Sequence, residues 1–236
     1  MAGVRDGFHR TEPAELRHNP RPAFGTAAQH LDTPKPTKNK ANARYMRAAK
    51  TAAELLPELP NPGESIHCLM TGTYDLCQVI TAVANRLPTL TTLRIATLCF
   101  SKKNTAELLS LLETRKGKPF TLTLLVSVFF REHNKRLYEW FQEELKAHPT
   151  ARLAAARNHC KVVCFDLDAN AGLVFEGSAN LRSNRNREQL TVIRDRQLHD
   201  WHSSWIDDMV SADKETDCEA ERSTLAIPAM EVTPTA

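Results

Sequence analysis

The sequence predicts an α/β protein with a mixed, mostly parallel sheet flanked by helices. Between residues 65 and 148, short apolar runs alternate with segments of helical spacing. Such alternation is typical of parallel strands whose faces are covered by helices. After Pro149 the rhythm changes, because three apolar runs follow one another with no helix between them, at 151–157, 161–167 and 172–178. Short links between strands allow antiparallel pairing, so the second half of the sheet is expected to be of mixed direction.

Each element is predicted from its own pattern along the chain. A run of four to eight apolar residues indicates a buried strand, and apolar residues three or four apart indicate a helix. Strands are predicted at 65–71, 92–100, 120–130, 151–157, 161–167, 172–178 and 188–195. Helices are predicted at 37–56, 74–87, 104–116, 132–148 and 197–210. Asn104 is the expected N-cap of its helix. The last helix should bury an apolar stripe formed by Leu198, Trp201, Trp205 and Met209, which leaves His202 exposed.

Four segments are expected from composition. Residues 1–36 contain five prolines and little apolar content, which predicts a disordered tail. Residues 37–60 read as a basic helix and linker, 61–210 as the folded domain, and 211–236 as an acidic disordered tail. The first 60 residues carry ten basic and six acidic side chains, whereas 211–236 carry two basic and six acidic.

The bulk composition excludes several classes of protein. The N-terminal segment lacks an apolar stretch, and no apolar run approaches the roughly 18 residues of a membrane span, so we expect neither a secretory signal nor membrane insertion. In such a chain the six cysteines are expected to be free thiols in a reducing, cytoplasmic compartment. A net charge of +3 is too small to indicate a nucleic-acid partner by itself.

Residues 158–180, NHCKVVCFDLDANAGLVFEGSAN, suggest a site. If 159–166 is a strand, His159 and Lys161 share one of its faces, and Ser178 and Asn180 share a face in the same way. The link at 168–172 has the right length to fold the two strands into an antiparallel hairpin, which brings the four side chains together. An imidazole, a cation, a hydroxyl and an amide suit a phosphate group, because the donors neutralise its oxygens while the imidazole attacks or transfers a proton.

A metal site is the weaker interpretation of this stretch. His159, Cys160 and Cys164 could bind a metal, but a second ligand pair with finger-like spacing is missing from the sequence. We therefore expect no metal and no cofactor.

Two motifs in this stretch resemble those of a known family. HCKVVCFD has the form H-x-K-x4-D and GSAN the form G-S-x-N, and together they resemble the phospholipase D superfamily, whose members break or exchange phosphodiester bonds. The resemblance implies an α/β/α sandwich. It also implies that His159 is the nucleophile, through a phosphohistidine, or the general acid. Lys161 and Asn180 would hold the phosphate oxygens, and Ser178 would support the same phosphate.

Three further motif positions follow from the resemblance. Asp166 should anchor structure, because the strand alternation places it on the face opposite His159. Gly177 permits a close backbone approach beside Ser178. Glu188 stands where family members often carry an acid that orients the imidazole and stabilises its protonated form. The ten residues between Asp166 and Gly177 exceed the commonest family spacing, and the hairpin turn is expected to absorb them.

The single motif implies a homodimer that acts on nucleic acid. The family chemistry uses two facing histidines, and the only partial echo, at His133–Lys135, lies in a predicted helix with no G-S-x-N after it. Two chains related by a twofold axis would supply the second histidine. Single-motif members resemble small endonucleases, and three arginines beside the site could follow a polynucleotide backbone: Arg182, Arg185 and Arg187. An ordinary solvated loop is the alternative for these arginines.

Two other functions stay open at this point. The first is a catalytically silent nucleic-acid-binding module of a phage or mobile element. The second is a phospholipid hydrolase or transferase, which is disfavoured because the sequence shows no amphipathic membrane-binding helix.

Overall fold

Eight strands and six α-helices form the described part of the molecule. The computed structural model describes residues 42–46, 51–70, 72–168, 171–182 and 186–224. The strands are β1 (Asn42–Met46), β2 (Glu64–Met70), β3 (Thr92–Ala96), β4 (Thr121–Ser127), β5 (Ala151–Ala156), β6 (Val162–Asp168), β7 (Ala171–Gly177) and β8 (Glu188–Arg194). The helices are α1 (Ala52–Leu55), α2 (Leu76–Asn85), α3 (Lys102–Thr114), α4 (Val128–His133), α5 (Lys135–Glu144) and α6 (Arg196–Thr224), with a 3₁₀ turn at Leu145–Ala147.

The strands form one sheet in the order β1-β2-β8-β7-β6-β3-β4-β5. β3, β4 and β5 are parallel and form one half of the sheet, whereas β6, β7 and β8 form an antiparallel meander in the other half. The predicted mixed sheet with flanking helices is therefore confirmed. Parallel pairs have a smaller share than expected: of the seven pairs among the described strands, three are parallel and four antiparallel. The physical reason is that the short links after β5 leave no room for crossover helices.

Helices cover both faces of the sheet. On one face α2, α3 and α5 pack on a large apolar core that includes Val79, Leu108 and Phe141. On the other face α6 alone covers a smaller core, with Ile206 and Val210 against strand residues such as Cys164 and Val174. This arrangement gives three layers, helix, sheet and helix.

The predicted helix at 37–56 is wrong. Residues 42–46 form the edge strand β1, parallel to β2, and only Ala52–Leu55 are helical, with the Thr51 hydroxyl accepting a hydrogen bond from the Glu54 amide at 3.3 Å. Alanine and lysine are good helix formers, but intrinsic helix propensity is a weak preference, and backbone pairing along the open edge of β2 outweighs it. The sheet therefore begins before residue 61, the expected start of the folded domain. The expected tail at 1–36 lies outside the described residues.

The C-terminal helix is longer and faces differently than predicted. α6 continues to Thr224, so residues 211–224 are helical where a disordered tail was expected, and 225–236 lie outside the described residues. Trp201 is 51% exposed, whereas His202 is buried. The helix is rotated because β7 offers a polar partner, with the His202 Nε2–H donating to Glu176 Oε1 at 2.7 Å.

The remaining helices differ from expectation at their boundaries and at one interruption. Ser101 is the N-cap of α3, and its hydroxyl accepts from the Asn104 amide at 3.3 Å. The predicted helix at 132–148 is divided at Asn134 between α4 and α5. Within the described ranges, no helix combines the length and apolar character that crossing a membrane requires.

Candidate active site

His159 and Lys161 lie on the link between β5 and β6, at the carboxyl end of the parallel strands. The predicted strand at 159–166 begins only at Val162, so strand alternation is not what brings the two side chains together. Instead the Lys161 ammonium donates to the His159 carbonyl oxygen at 2.7 Å and to its Nδ1 atom at 3.0 Å. An ammonium group can only donate, so Nδ1 accepts in this arrangement. His159 is exposed and Lys161 is half-buried.

Gly177 lies at the end of β7, next to this link. β6 and β7 pair antiparallel with Val162 opposite Glu176, and the Gly177 amide donates to the Lys161 carbonyl at 3.2 Å. A Cβ atom at Gly177 would lie 2.3 Å from the Gln189 carbonyl oxygen, so only glycine fits here without a shift of the backbone. The hairpin takes up the long spacing between the two motifs through strand length, as β6 runs to Asp168 and β7 begins at Ala171.

Ser178 and Glu188 are held together by the pairing of β7 with β8. The Ser178 hydroxyl donates a short hydrogen bond to a Glu188 carboxylate oxygen and accepts from the Gln189 amide at 3.1 Å. Ser178 is exposed and Glu188 is half-buried. Glu188 thus lies in the site, but it accepts from the serine, whereas orientation of the His159 ring was the role expected for it.

Asn180 is fixed through its amide oxygen. That oxygen accepts from the Leu98 amide at 3.2 Å and lies 3.4 Å from the Thr97 hydroxyl. A backbone N–H can only donate, so the side-chain oxygen faces β3 and the Nδ2 donors are the end that can reach a ligand.

Two buried residues outside the two motifs, Thr97 and Asn158, connect the parts of the site. Asn158 donates through Nδ2 to the Thr97 carbonyl at 3.2 Å and accepts from the Cys160 amide at 2.8 Å, which fixes the link that carries His159. The Thr97 hydroxyl accepts from the Leu181 amide at 3.4 Å, next to Asn180. Thr97 is therefore bonded to both polar segments. Sequence reasoning missed both residues, and the only available signal was the position of Asn158 directly before the motif.

Asp166 lies apart from the segment that carries the arginines. Asp166 accepts from Arg196 Nη1 of α6 at 2.9 Å, an ion pair that joins the sheet to α6 and lies apart from the His159 link. Arg182 and Arg187 are exposed on the segment that follows Asn180. Arg185 lies outside the described residues.

The site has a basic electrostatic character. Burial lowers the pKa of Lys161 from its usual 10.5, although Cys160, Cys99 and Glu188 oppose the shift. Burial raises the pKa of the Cys99 thiol, and the charges of Arg182 and Lys161 partly offset that rise. Lys161 and Arg182 thus act on the same small region, where their positive charges favour an anion and burial opposes any charged group.

The described cysteines are divided between the core and the surface. The five whose side chains are described are unpaired. Cys164 is fully buried in the core beneath α6, whereas Cys160 is exposed, so the two do not face a common point with His159. In the part of the chain that the structure describes, no group of three or more His, Cys, Asp or Glu side chains is gathered as metal ligands would be.

Comparison with known proteins gives structural likeness only. No family model and no curated protein matches the chain. Among solved structures, a polyphosphate kinase from Porphyromonas gingivalis is 12% identical with a TM-score of 0.46, over 63% of this chain and 26% of that one. NucT from Helicobacter pylori is 18% identical with a TM-score of 0.45, over 63% and 97%. A phosphatidylserine synthase from Haemophilus influenzae is 16% identical with a TM-score of 0.41, over 63% and 38%.

These three proteins belong to the phospholipase D superfamily, the family that the two motifs resemble. The chain spans about a quarter of the length of the polyphosphate kinase. At TM-scores below 0.5 the likeness carries no argument about activity or substrate, so the chemistry has to be argued from the site residues.

Proposed function

We propose that this protein is a metal-independent phosphodiesterase that cleaves DNA or RNA through a phosphohistidine at His159. The observation that supports it is the hydrogen bond from the Gly177 amide to the Lys161 carbonyl at 3.2 Å, which brings the segment of Ser178 and Asn180 beside the link that carries His159 and Lys161. A phosphate diester fits this set of groups, because the donors can neutralise its non-bridging oxygens while the imidazole attacks phosphorus.

The donors bind the phosphate oxygens that do not leave. Lys161 is half-buried, so its charge acts through a medium that screens less than bulk water. Asn180 presents its Nδ2 donors, because its oxygen is bonded to Leu98. When a phosphate binds, the ammonium exchanges the neutral His159 Nδ1 for an anionic oxygen, since charge-assisted hydrogen bonds are the stronger ones. The imidazole is thereby released to attack.

The reaction proceeds in two displacements. A ring nitrogen of His159 forms a bond to phosphorus while the bond from phosphorus to the leaving nucleotide oxygen breaks, and an acid protonates that oxygen. Water then attacks the phosphohistidine, the phosphorus–nitrogen bond breaks, and the water proton passes to the same acid. Glu188 stabilises the protonated imidazole, directly or through Ser178, whose hydroxyl it already holds.

A second chain supplies the acid. The echo at His133–Lys135 does not provide it, because His133 ends the short helix α4 and its ring stacks on Phe129. A twofold dimer would place the His159 of a second chain across the phosphate, where it protonates the leaving oxygen. The active species is therefore a homodimer in this proposal.

Nucleic acid is the substrate class that the surrounding charge favours. Arg182 and Arg187 are exposed on the segment after Asn180, and Arg157 is exposed just before the His159 link. Exposed cations on the segments that carry a phosphate site can contact the neighbouring phosphates of a polynucleotide.

Cleavage of single- and double-stranded DNA and RNA in excess EDTA tests the proposal. The wild-type chain should cut, and His159→Ala should lose the activity. The matched control is His148→Ala, which removes a histidine three residues before β5 instead of three residues after it. Cutting by His159→Ala would place the chemistry elsewhere. Salt-sensitive binding without cutting by either chain would favour the binding module, and hydrolysis of a choline lipid would favour the lipid enzyme.

A further inference from the structure

Phe129 is an exposed aromatic side chain beside the proposed active site. It is 62% exposed, whereas its neighbour Phe130 is buried and packs on Phe100 with ring centroids 4.5 Å apart. One side chain of the pair therefore supplies the core, and the other is left at the surface of α4. Single exposed apolar residues are common and need no function of their own. Phe129 is of interest because it lies in the same groove as His159.

Phe129 lines a groove that also contains His159. The groove has a volume of about 640 Å³, and its other walls include Leu98, Glu132 and Arg157. The proposed nucleophile and the exposed ring thus border one open space. When a phosphodiester is bound at His159, the nucleosides on either side of it must lie close by. This groove, which His159 lines, has room for one of them.

The ring of Phe129 is held in place before any ligand binds. The His133 imidazole stacks on it at a centroid distance of 3.9 Å and an interplanar angle of 29°. His133 is anchored in turn, because its Nδ1–H donates to the Phe129 carbonyl at 2.8 Å. The Phe129 amide donates to the Ser127 hydroxyl at 3.2 Å. A flat apolar surface fixed in this way loses little conformational entropy when a planar group stacks on it.

The charges of the groove fit a nucleotide. Arg157 is exposed at its wall and can contact a phosphate oxygen. Glu132 is exposed at the same groove and can accept from the exocyclic amino group of a base. An aromatic plane, a cation and an acceptor are the recurring means of binding an unpaired nucleotide.

We propose that this groove binds the nucleobase next to the scissile phosphate by stacking it on Phe129, so that the protein prefers single-stranded nucleic acid. The inference rests on the proposed function. A base inside a duplex is already stacked on both faces, and only an unpaired strand presents a free face to Phe129.

A short single strand with one phosphodiester linkage, the others being methylphosphonates, tests this stacking. Two versions are compared in excess EDTA, one with all bases and one with an abasic unit beside the phosphodiester. Phe129→Ala should lower kcat/KM on the intact strand roughly tenfold to hundredfold, and Phe129→Trp should retain it. The wild type should lose a similar factor on the abasic strand, while Phe129→Ala loses nothing further. The control is Trp201→Ala, the other large exposed aromatic among the described side chains, which should change neither rate.

The inference and the proposed function fail in different ways. Equal cutting of the intact strand by wild type and Phe129→Ala overturns the stacking subsite and leaves the phosphodiesterase standing. Equal losses on the abasic strand by both chains overturn it too. If light scattering gives Phe129→Ala half the mass of the wild type, the groove is a contact between two copies of the chain, and the stacking subsite is overturned. Failure of the wild type to cut any phosphodiester would instead refute the function on which the subsite rests.

Discussion

The two halves of the sheet contribute differently to the candidate site. The antiparallel half, β6 to β8, carries polar side chains that can touch a ligand: Lys161 before β6, Ser178 and Asn180 after β7, and Glu188 at the start of β8. The parallel half, β3 to β5, contributes buried groups that hold these in place, chiefly Thr97 and Asn158. The halves meet where β3 pairs with β6.

The difference shows what a sequence motif reports. Both motifs lie in or beside the antiparallel half, since they consist of the groups that would contact phosphate. The residues that fix those groups are single polar side chains at the ends of apolar strands. The comparison predicts that replacing the side chains that can touch a ligand removes activity without loss of stability, and that replacing the buried groups that hold them reduces both.

The largest effect is expected at Lys161. Lys161→Met keeps the length of the side chain and removes its charge, so cleavage should fall by roughly a hundredfold to a thousandfold. The free energy of unfolding in urea should be nearly unchanged. Lys116→Met, which removes an exposed lysine paired with Glu113, should leave both quantities as they are. A large loss of stability in Lys161→Met would break the proposed division between the halves.

Gly177→Ala should have the next largest effect on activity. The new Cβ would meet the Gln189 carbonyl oxygen at 2.3 Å, so the strand has to shift and Ser178 moves with it. A displacement near 1 Å can cost about a hundredfold in rate, and the strain should cost about 1–3 kcal/mol of stability. Gly172→Ala is the matched control, since its Cβ would lie 2.3 Å from His199 Cβ at the other end of β7. It should lose stability and keep its rate per folded molecule.

A smaller loss of activity is expected in the parallel half. Thr97→Val preserves shape but removes the hydroxyl that the Leu181 amide uses, which should cost about 1–3 kcal/mol of stability. Cleavage should fall by about tenfold as the Asn180 turn loosens, and Thr97→Ser should restore it. Thr105→Val removes another buried hydroxyl, bonded at 2.7 Å to the Lys102 carbonyl in α3, and should reduce stability only. Equal activity losses in the two valine variants would contradict a specific role for Thr97.

The smallest effect is expected where α6 is joined to β7. The hydrogen bond from His202 lowers the pKa of Glu176 below its usual 4.5, although burial opposes the shift. Because the folded-state pKa is depressed, this contribution to stability is present above pH 4.5 and is lost as the pH falls through the folded value. Glu176→Gln should abolish this loss of stability in acid. The difference in the free energy of unfolding should be less than about 1 kcal/mol, because the carboxylate is partly exposed. Urea unfolding at neutral pH and near pH 4 measures it, and exposed Glu139→Gln serves as the control.

Most strands were predictable because their burial dictates their composition. The apolar runs at 65–71 and 188–195 correspond to β2 and β8 within about a residue at each end. The edge strand β1 was not predictable, because the sequence of Asn42–Met46 contains no apolar run. This strand is held by its pairing with β2. Leu198, Trp205 and Met209 pack on the core as predicted, but the exposure of Trp201 and the burial of His202 were missed. Hydropathy does not show that Glu176 on β7 offers the His202 ring a hydrogen-bond partner.

The sequence motifs name candidate reactive groups of the site but not the residues that hold them in place. Hairpin pairing of β6 with β7 was enough to place Lys161 beside Gly177, as expected. The hydrogen bond from Ser178 to Glu188 was not anticipated, because it follows from the pairing of β7 with β8. Thr97 resembles any polar residue at a strand end, and only the folded chain identifies its bonds to both motif segments.

The stereochemistry of cleavage at phosphorus tests the central claim most directly, that His159 at the junction of the two halves is a covalent nucleophile. A dinucleoside phosphorothioate of one configuration is cleaved in oxygen-18 water, and the configuration of the product is determined. Two successive in-line displacements, the first by His159 and the second by water, predict overall retention. Inversion would require water to attack the diester in a single step, and would contradict the phosphohistidine.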